Sequence, residues 1–207
     1  MGFRPTIIVL AAGRGSRFRG ERHKLEEDMG NGSVLGSTLR NVIESGLPFA
    51  VVTTAALEPV ARRHAPGADI VVLPEADGGQ VMGMGYSIAN GVCAHSQAPG
   101  WLILPGDMPL VQPETLHAVA RALEHHPVAY AQYRGRRGHP VAFAAELYSE
   151  LATLTGDEGA RRLVARYPAF GVEVDDPGVL LDVDTMEDLS ALRARQAGGS
   201  DRPAPAA

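Results

Sequence analysis

Cysteine is almost missing from this chain. Cys93 is the one thiol in 207 residues, which excludes an internal disulfide and a cysteine-cluster metal site. No apolar stretch approaches the roughly 18 residues of a membrane span, and residues 1–5 lack the charged and apolar regions of a signal peptide. The expectation is a cytoplasmic protein with no membrane association. An excess of positive charge is lacking too: the net charge is −5, so no general nucleic-acid surface is expected. Internal repeats are absent. What remains is ordinary, 45% hydrophobic and 21% charged residues, as in a globular chain long enough for one domain with a substantial core. Residues 1–196 are expected to form that domain, and residues 197–207 (AGGSDRPAPAA) to be a disordered tail by composition.

Against the acidic balance stands one local cluster. Ile7 to Ala11 is a continuous apolar run rich in β-branched residues, the pattern of a strand buried on both faces in a parallel sheet. It stops at Ala12-Gly13-Arg14-Gly15, where glycine permits turns with positive φ and close approach to a ligand. Arg14, Arg17, Arg19, Arg22 and Lys24 then follow, with Glu21 the one acid among them. Backbone N–H groups and clustered cations are what a polyphosphate requires. The alternative is a solvated basic loop. Two familiar phosphate loops are excluded. Phe18 stands where the dinucleotide fingerprint needs its third glycine, and Gly20 is followed by Glu21 instead of Lys-Ser/Thr.

Apolar runs alternate with helical patterns along the first half. Residues 49–53, 69–73 and 101–104 read as strands, with helices at about 36–45, 56–65 and 84–95 between them. Residues 113–124 form the clearest helix, with Pro113 in its first turn and Leu116, Val119, Ala120 and Leu123 on one face. This alternation predicts a doubly wound α/β fold, mostly parallel in its sheet. Residues 128–133 and 140–144 read as two further strands joined by a polar turn over 134–139, a ribbon added to the sheet with an antiparallel member. Asp157 is expected to cap a helix carrying Ala160, Leu163, Val164 and Tyr167 on one face. Residues 170–174 and 179–183 read as short strands, and a last helix begins at Thr185 with Asp188 completing a capping-box variant.

The chemistry is expected at strand ends. An apolar strand delivers Asp107 at its carboxyl end, where ligands bind in open α/β sheets. A carboxylate facing a phosphate loop suits Mg²⁺, which is held by one or two carboxylates plus phosphate oxygens; the competing role is capping of the next turn. Asp182 and Asp184 bracket Val183, and on a strand both would face one way and could reach one metal. Their competing role is capping before Thr185. Ser87, in the helix opened by Gly83, is placed to read a base or substrate, the alternative being a plain helix start; His139 is a candidate substrate contact, the alternative being a structural turn histidine. Cys93, His125, His126 and Met82 have no partner at useful spacing and are read as core or surface.

Taken together, six stretches resemble the molybdenum-cofactor nucleotidyltransferases, the MobA/MocA-like NTP transferases, and in particular their cytidylyltransferases. They are residues 10–18 with Lys24, then 83–91, 105–109, 137–141, 154–161 and 182–189, in family order over nearly the whole chain. The resemblance implies a three-layer Rossmann-like nucleotidyltransferase fold, a nucleoside triphosphate, Mg²⁺ and a phosphate-bearing acceptor. It implies that Leu10, Ala11, Ala12, Gly13 and Gly15 shape the triphosphate loop and that Arg17 and Lys24 hold the phosphates. Asp107 would bind Mg²⁺, with Asp184 or Asp182 as second ligand. Gly83 and Ser87 would contact the nucleotide, and His139, Asp157 and Arg161 would face the acceptor. Ala12 stands where cytidylyl relatives tend to carry alanine and guanylyl relatives glycine, which favours CTP over GTP.

The implied reaction moves CMP from CTP to the phosphate of molybdopterin with release of pyrophosphate, the product passing to a molybdoenzyme or its chaperone. The alternatives are a transferase of the same fold using another phosphorylated acceptor, and a non-catalytic nucleotide-binding module. The sequence departs from the family after Lys24. Where relatives run through leucines and a proline, this chain has Leu25-Glu26-Glu27-Asp28-Met29-Gly30, and these carboxylates are placed to compete for Lys24.

Overall fold

The computed structural model describes residues 2–13, 15, 18, 20, 22–30, 32–65, 69–74 and 83–199. In chain order the strands are β1 (Thr6–Ala11), β2 (Phe49–Thr54), β3 (Asp69–Leu73), β4 (Gly100–Pro105), β5 (Val128–Tyr133), β6 (Arg136–Ala144) and β7 (Ala169–Glu173). The helices are α1 (Val34–Glu44), α2 (Glu58–His64), α3 (Gly83–Ala94), α4 (Pro113–Ala122), α5 (Tyr148–Leu151), α6 (Arg161–Arg166) and α7 (Met186–Gly199). They build the expected three-layer α/β fold. The sheet has the order β3-β2-β1-β4-β6-β5-β7. β6 runs antiparallel to both its neighbours, while the β1–β2, β2–β3, β1–β4 and β5–β7 pairs are parallel.

The apolar run of β1 is buried on both faces, as its composition demands. Ile7, Val9 and Ala11 pack on one side with Leu35 and Leu39 of α1, Val60 of α2, Leu116 and Val119 of α4 and Leu189 of α7. Ile8 packs on the other side with Ile88 and Val92 of α3, Leu151 of α5 and Leu163 of α6. Alternate residues of one strand thus serve two cores. β1 also lies where the strand order reverses, since the chain leaves it toward β2 and returns on its other flank as β4. In such sheets the crevice beyond the carboxyl ends of the two diverging strands is the ligand position.

Several local expectations are corrected. The turn between β5 and β6 is two residues long, Arg134 (φ 49°) and Gly135 (φ 74°), so residues 136–139 belong to the strand and not to a polar turn. Positive φ at both central residues matches the twist of a hairpin, which is why so short a turn suffices. Asp157 caps no helix: α6 begins at Arg161, with Ala160 in the N-cap position. Residues 179–183 are not a strand, because Pro177–Leu180 form a 3₁₀ turn and 181–184 run on irregularly. Asp176 starts that turn by accepting a hydrogen bond from Gly178 N–H, so local capping outweighed β propensity. The capping box at α7 is present: Asp188 N–H donates to Thr185 Oγ1 (3.1 Å) and Thr185 N–H donates to Asp188 Oδ2 (2.8 Å). α7 continues to Gly199, into the stretch expected as tail; residues 200–207 lie outside the described residues.

The N-terminus of α1 carries a pH-sensitive contact. Ser33 Oγ accepts from Gly36 N–H (3.0 Å) and pairs with His64 Nε2 (3.1 Å). Burial, with Arg63 and Arg40 nearby, holds His64 below the ordinary histidine pKa. The unfolded chain therefore binds this proton more readily than the native one, so the stability His64 supplies is complete above about pH 6.5 and declines as the pH falls from there toward the depressed native pKa. Thermal melts from pH 7.5 to 5.5 (about one unit either side of 6.5) should show a shallower decline in His64→Gln than in the wild type. Equal slopes would refute the assignment.

Candidate active site

The crevice between β1 and β4 gathers Lys24, Asp107 and Asp184 from among the sequence-predicted groups. The two strands pair in parallel with Leu10 opposite Pro105, and Gly106 N–H donates to Leu10 O (2.8 Å), extending that pairing into the loop. Thr38, buried in α1, donates its hydroxyl to Gly106 O (2.9 Å). The next residue is Asp107, whose carboxylate is thereby held at the mouth of the crevice. Val183 N–H donates to Asp107 O (3.0 Å), which draws the segment carrying Asp182 and Asp184 to the same place. Gly138 of β6 makes room for this approach, since a Cβ there would collide with the Val179 carbonyl. The glycine requirement is one of space.

Lys24 joins the two carboxylates. Its Nζ lies 2.5 Å from Asp107 Oδ2 and 2.8 Å from Asp184 Oδ1, with the three side chains 11%, 15% and 27% exposed. Burial pulls the Lys24 ammonium down, but the attraction and hydrogen bonds of Asp107 and Asp184 outweigh it and raise its pKa above the ordinary lysine value. The Asp182 carboxyl is also raised above its ordinary value, by burial first, with repulsion from Asp107 and Asp184 adding to that. Three carboxylates around one ammonium leave an excess of negative charge. Asp107 Oδ1 is moreover buried without a hydrogen-bond partner. An orphaned carboxylate oxygen amid surplus negative charge is a fitting ligand for a divalent cation. Among the described residues no cluster of three or more metal-ligating side chains is preformed.

The expected competition for Lys24 does not occur. The Lys24 ammonium pairs with Asp107 and Asp184, and Glu27 meets Lys24 through the backbone, its N–H donating to Lys24 O at 3.3 Å. Glu27 lies 4.0 Å from Arg193, Asp28 Oδ1 accepts from Gly30 N–H, and Arg193 Nε donates to the Asp28 carbonyl at 2.7 Å. Leu25 and Met29, flanking the three acids, are buried in the core, 3% and 2% exposed. The acidic stretch is a structural turn between the glycine loop and α1.

Other predicted residues fall in two groups. Ala11 and Ala12 are buried at the end of β1, Leu10 is half-buried there, and Gly13 is exposed just beyond. Arg17 lies outside the described residues, as do Arg14, Arg19 and Met82. Ser87 is buried in α3, where its hydroxyl donates to Gly83 O (3.3 Å). Gly83 (φ 84°) lets α3 start hard against the 154–157 turn: a Cβ there would overlap the Gly156 carbonyl, and Gly85 N–H donates to Gly156 O (2.8 Å). Two of the matching stretches therefore abut. Asp157 and Arg161 are exposed. His139 is half-buried on β6, and burial lowers its pKa, with Asp182 opposing and Arg137 and Arg161 adding to the shift. Asp182, which acts on His139, is itself repelled by Asp107 and Asp184.

Two residues went unnoticed in the sequence. His23 immediately precedes Lys24 and bonds both to the glycine turn and to the following 3₁₀ turn, Lys24–Glu26. Asp176 is a buried carboxylate tying the start of α4 to the Asp182–Asp184 segment. The Asp-Pro-Gly run at 176–178 was a readable turn signal; His23 offered none beyond its place beside Lys24.

The profile of the MobA-like NTP transferase domain matches residues 7–170, a span covering β1, the Lys24 segment, β4 with Asp107, and the 154–161 turn. The chain belongs to the MobA-like NTP transferase family. Its similarity to Purine catabolism protein PucB of Bacillus subtilis (strain 168) is 30% identity over 200 residues, 90% of this chain and 94% of that one. Among solved structures, a nucleotidyl transferase from Methanothermobacter thermautotrophicus aligns with a TM-score of 0.76 at 26% identity, covering 96% of this chain and 100% of the other. Rv0371C of Mycobacterium tuberculosis H37Rv, solved as a complex with manganese, aligns with the same TM-score of 0.76 at 29% identity, over 92% of this chain and 98% of that one. A MobA-like transferase uses a nucleoside triphosphate, and the manganese complex shows that a structurally similar chain accepts a divalent metal. Among the described residues no helix is long and apolar enough to cross a membrane.

Proposed function

We propose that this MobA-like chain transfers CMP from CTP to the phosphate of molybdopterin, releasing pyrophosphate. One observation carries the reading. Lys24 bridges Asp107 and Asp184 in the crevice where the strand order reverses, beside the glycine turn, and leaves one oxygen of Asp107 without a partner. Asp107 and Asp184, with Asp182 adjacent, would hold Mg²⁺ in that crevice. Bound there, Mg²⁺ would neutralise charge on the phosphates and on the departing pyrophosphate.

The remaining chemistry belongs to the chain's own groups. An acceptor phosphate oxygen attacks the α-phosphorus of the nucleotide in line, and the bond to pyrophosphate breaks. The acceptor is already ionised, so no strong general base is required. Lys24 would exchange its carboxylate partners for phosphate oxygens, and Arg17 would add charge from the glycine loop, so that catalysis rests on positioning and charge neutralisation. Alanine at position 12 supports cytidine over guanosine. Asp182 and Arg161 both act on His139; His139 and Arg161 would receive the acceptor, with Asp157 at the adjoining turn. A second reading, the same chemistry on another phosphorylated acceptor, is kept open by the similarity to a protein named for purine catabolism.

Pyrophosphate release assayed with molybdopterin against CTP, GTP, ATP and UTP should be greatest with CTP, by about tenfold or more over GTP, as a well-fitted base contact allows. A preference for GTP would overturn the base assignment. Release with another phosphorylated acceptor but none with molybdopterin would replace the acceptor. Tight nucleotide binding without release from any acceptor would identify a non-catalytic module.

A further inference from the structure

We propose that His23 is a positioning residue that sets nucleotide affinity by latching the glycine turn to the Lys24 segment; the inference rests on the nucleotide reading of that turn. His23 Nδ1 accepts from Leu25 N–H at 3.2 Å, which starts the 3₁₀ turn carrying Lys24. A ring nitrogen that accepts carries no proton, so in the neutral imidazole the proton resides on Nε2. Nε2 lies 2.9 Å from Gly13 O, ten residues earlier in the chain, and donates to it. One flat ring thus satisfies two backbone groups on opposite sides of the loop, and its tautomer is fixed by doing so.

The ring also packs under the turn. At Gly15 (φ 60°) a Cβ would stand 3.3 Å from Lys24 Cγ and 3.5 Å from His23 Nε2, so the backbone there runs close over both side chains. The sequence between the two latched ends carries Arg14, Arg17 and Arg19. Holding Gly13 fixed relative to Lys24 shortens the span that this segment must close. It also commits the Gly13 carbonyl to a donor. Released from the ring, that carbonyl could turn toward a bound phosphate, which it can only repel. None of this touches the in-line displacement itself, so the latch acts on binding and not on the chemical step.

Three variants separate the two bonds. In His23→Gln the side-chain amide reaches the place of Nε2 and can donate to Gly13 O. In His23→Asn the shorter amide keeps an acceptor for Leu25 N–H but falls short of Gly13. His23→Ala loses both. Titration calorimetry with CTP and with GTP in the presence of MnCl₂ should give a Kd about tenfold weaker for His23→Ala and His23→Asn, and within about threefold of wild type for His23→Gln. Where turnover is measurable, KM for the nucleotide should follow the same order while kcat stays within about twofold. Wild-type affinity in His23→Ala would overturn the latch, as would rescue by Asn and not Gln, or a loss confined to kcat. A wild-type protein that binds neither nucleotide would overturn the nucleotide reading together with the latch, whereas wild-type binding with an indifferent His23→Ala overturns the latch alone.

Discussion

Asp107→Asn should lower pyrophosphate release by about a thousandfold or more, the scale lost when a charge-stabilising group is removed from a reacting phosphate or oxyanion. The substitution keeps the size of the side chain and an acceptor for Lys24, but removes the charge and the partnerless oxygen. Lys24 retains Asp184 at 2.8 Å, so no buried ammonium is stranded, and the fold should survive with a melting temperature close to wild type. Mn²⁺ affinity, read by electron paramagnetic resonance, should weaken in parallel with activity. Turnover within about threefold of wild type, a change too small for a lost transition-state interaction, would remove Asp107 from the chemistry. Loss of activity with unchanged Mn²⁺ affinity would leave it a role in placing Lys24 only.

The prediction depends on a convergence that the sequence made partly legible. β1 was readable because a strand buried on both faces needs an unbroken apolar run, and Ile7 to Ala11 supply one. Asp107 was readable because it ends such a strand between Gly106 and Pro109. The ion pair between Lys24 and Asp184 was not readable, since 160 residues separate them and nothing local in either segment specifies the other. Residues 179–183, which include Asp182, read as a short strand, but the Asp-Pro-Gly turn at 176–178 bends the chain before a strand can form. The acidic run at 26–28 looked like a threat to Lys24 for the same reason: proximity in sequence says little about the direction in which side chains leave a 3₁₀ turn. The hairpin fared better in kind than in extent. Its two strands were expected, yet positive φ at Arg134 and Gly135 lets the chain reverse in two residues, and so His139 lies within a strand.

Asp176→Ala should destabilise the protein by about 3–4 kcal/mol, more than removal of any single surface group, because hydrogen bonds to a charged acceptor contribute about 1.5–3 kcal/mol each and are not additive. Asp176 is 4% exposed and accepts three of them: from Gln112 N–H at 2.9 Å, from the Thr115 hydroxyl at 2.7 Å and from Gly178 N–H at 2.8 Å. Two of the donors belong to the first turn of α4, whose N-cap residue Gln112 makes no side-chain cap of its own. The carboxylate therefore caps that helix from a distant part of the chain while starting the 3₁₀ turn that leads to Asp182 and Asp184. For a chain of this length a loss of that size corresponds to a fall in melting temperature of roughly 10 °C. Asp176→Asn, which keeps one acceptor oxygen, should cost about half as much. Because the same turn sets where Asp184 meets Lys24, either variant should also lose activity at temperatures where it is still folded. A melting temperature within about 2 °C of wild type, equivalent to less than 1 kcal/mol, would mean that α4 and the Asp184 segment hold their places without this carboxylate.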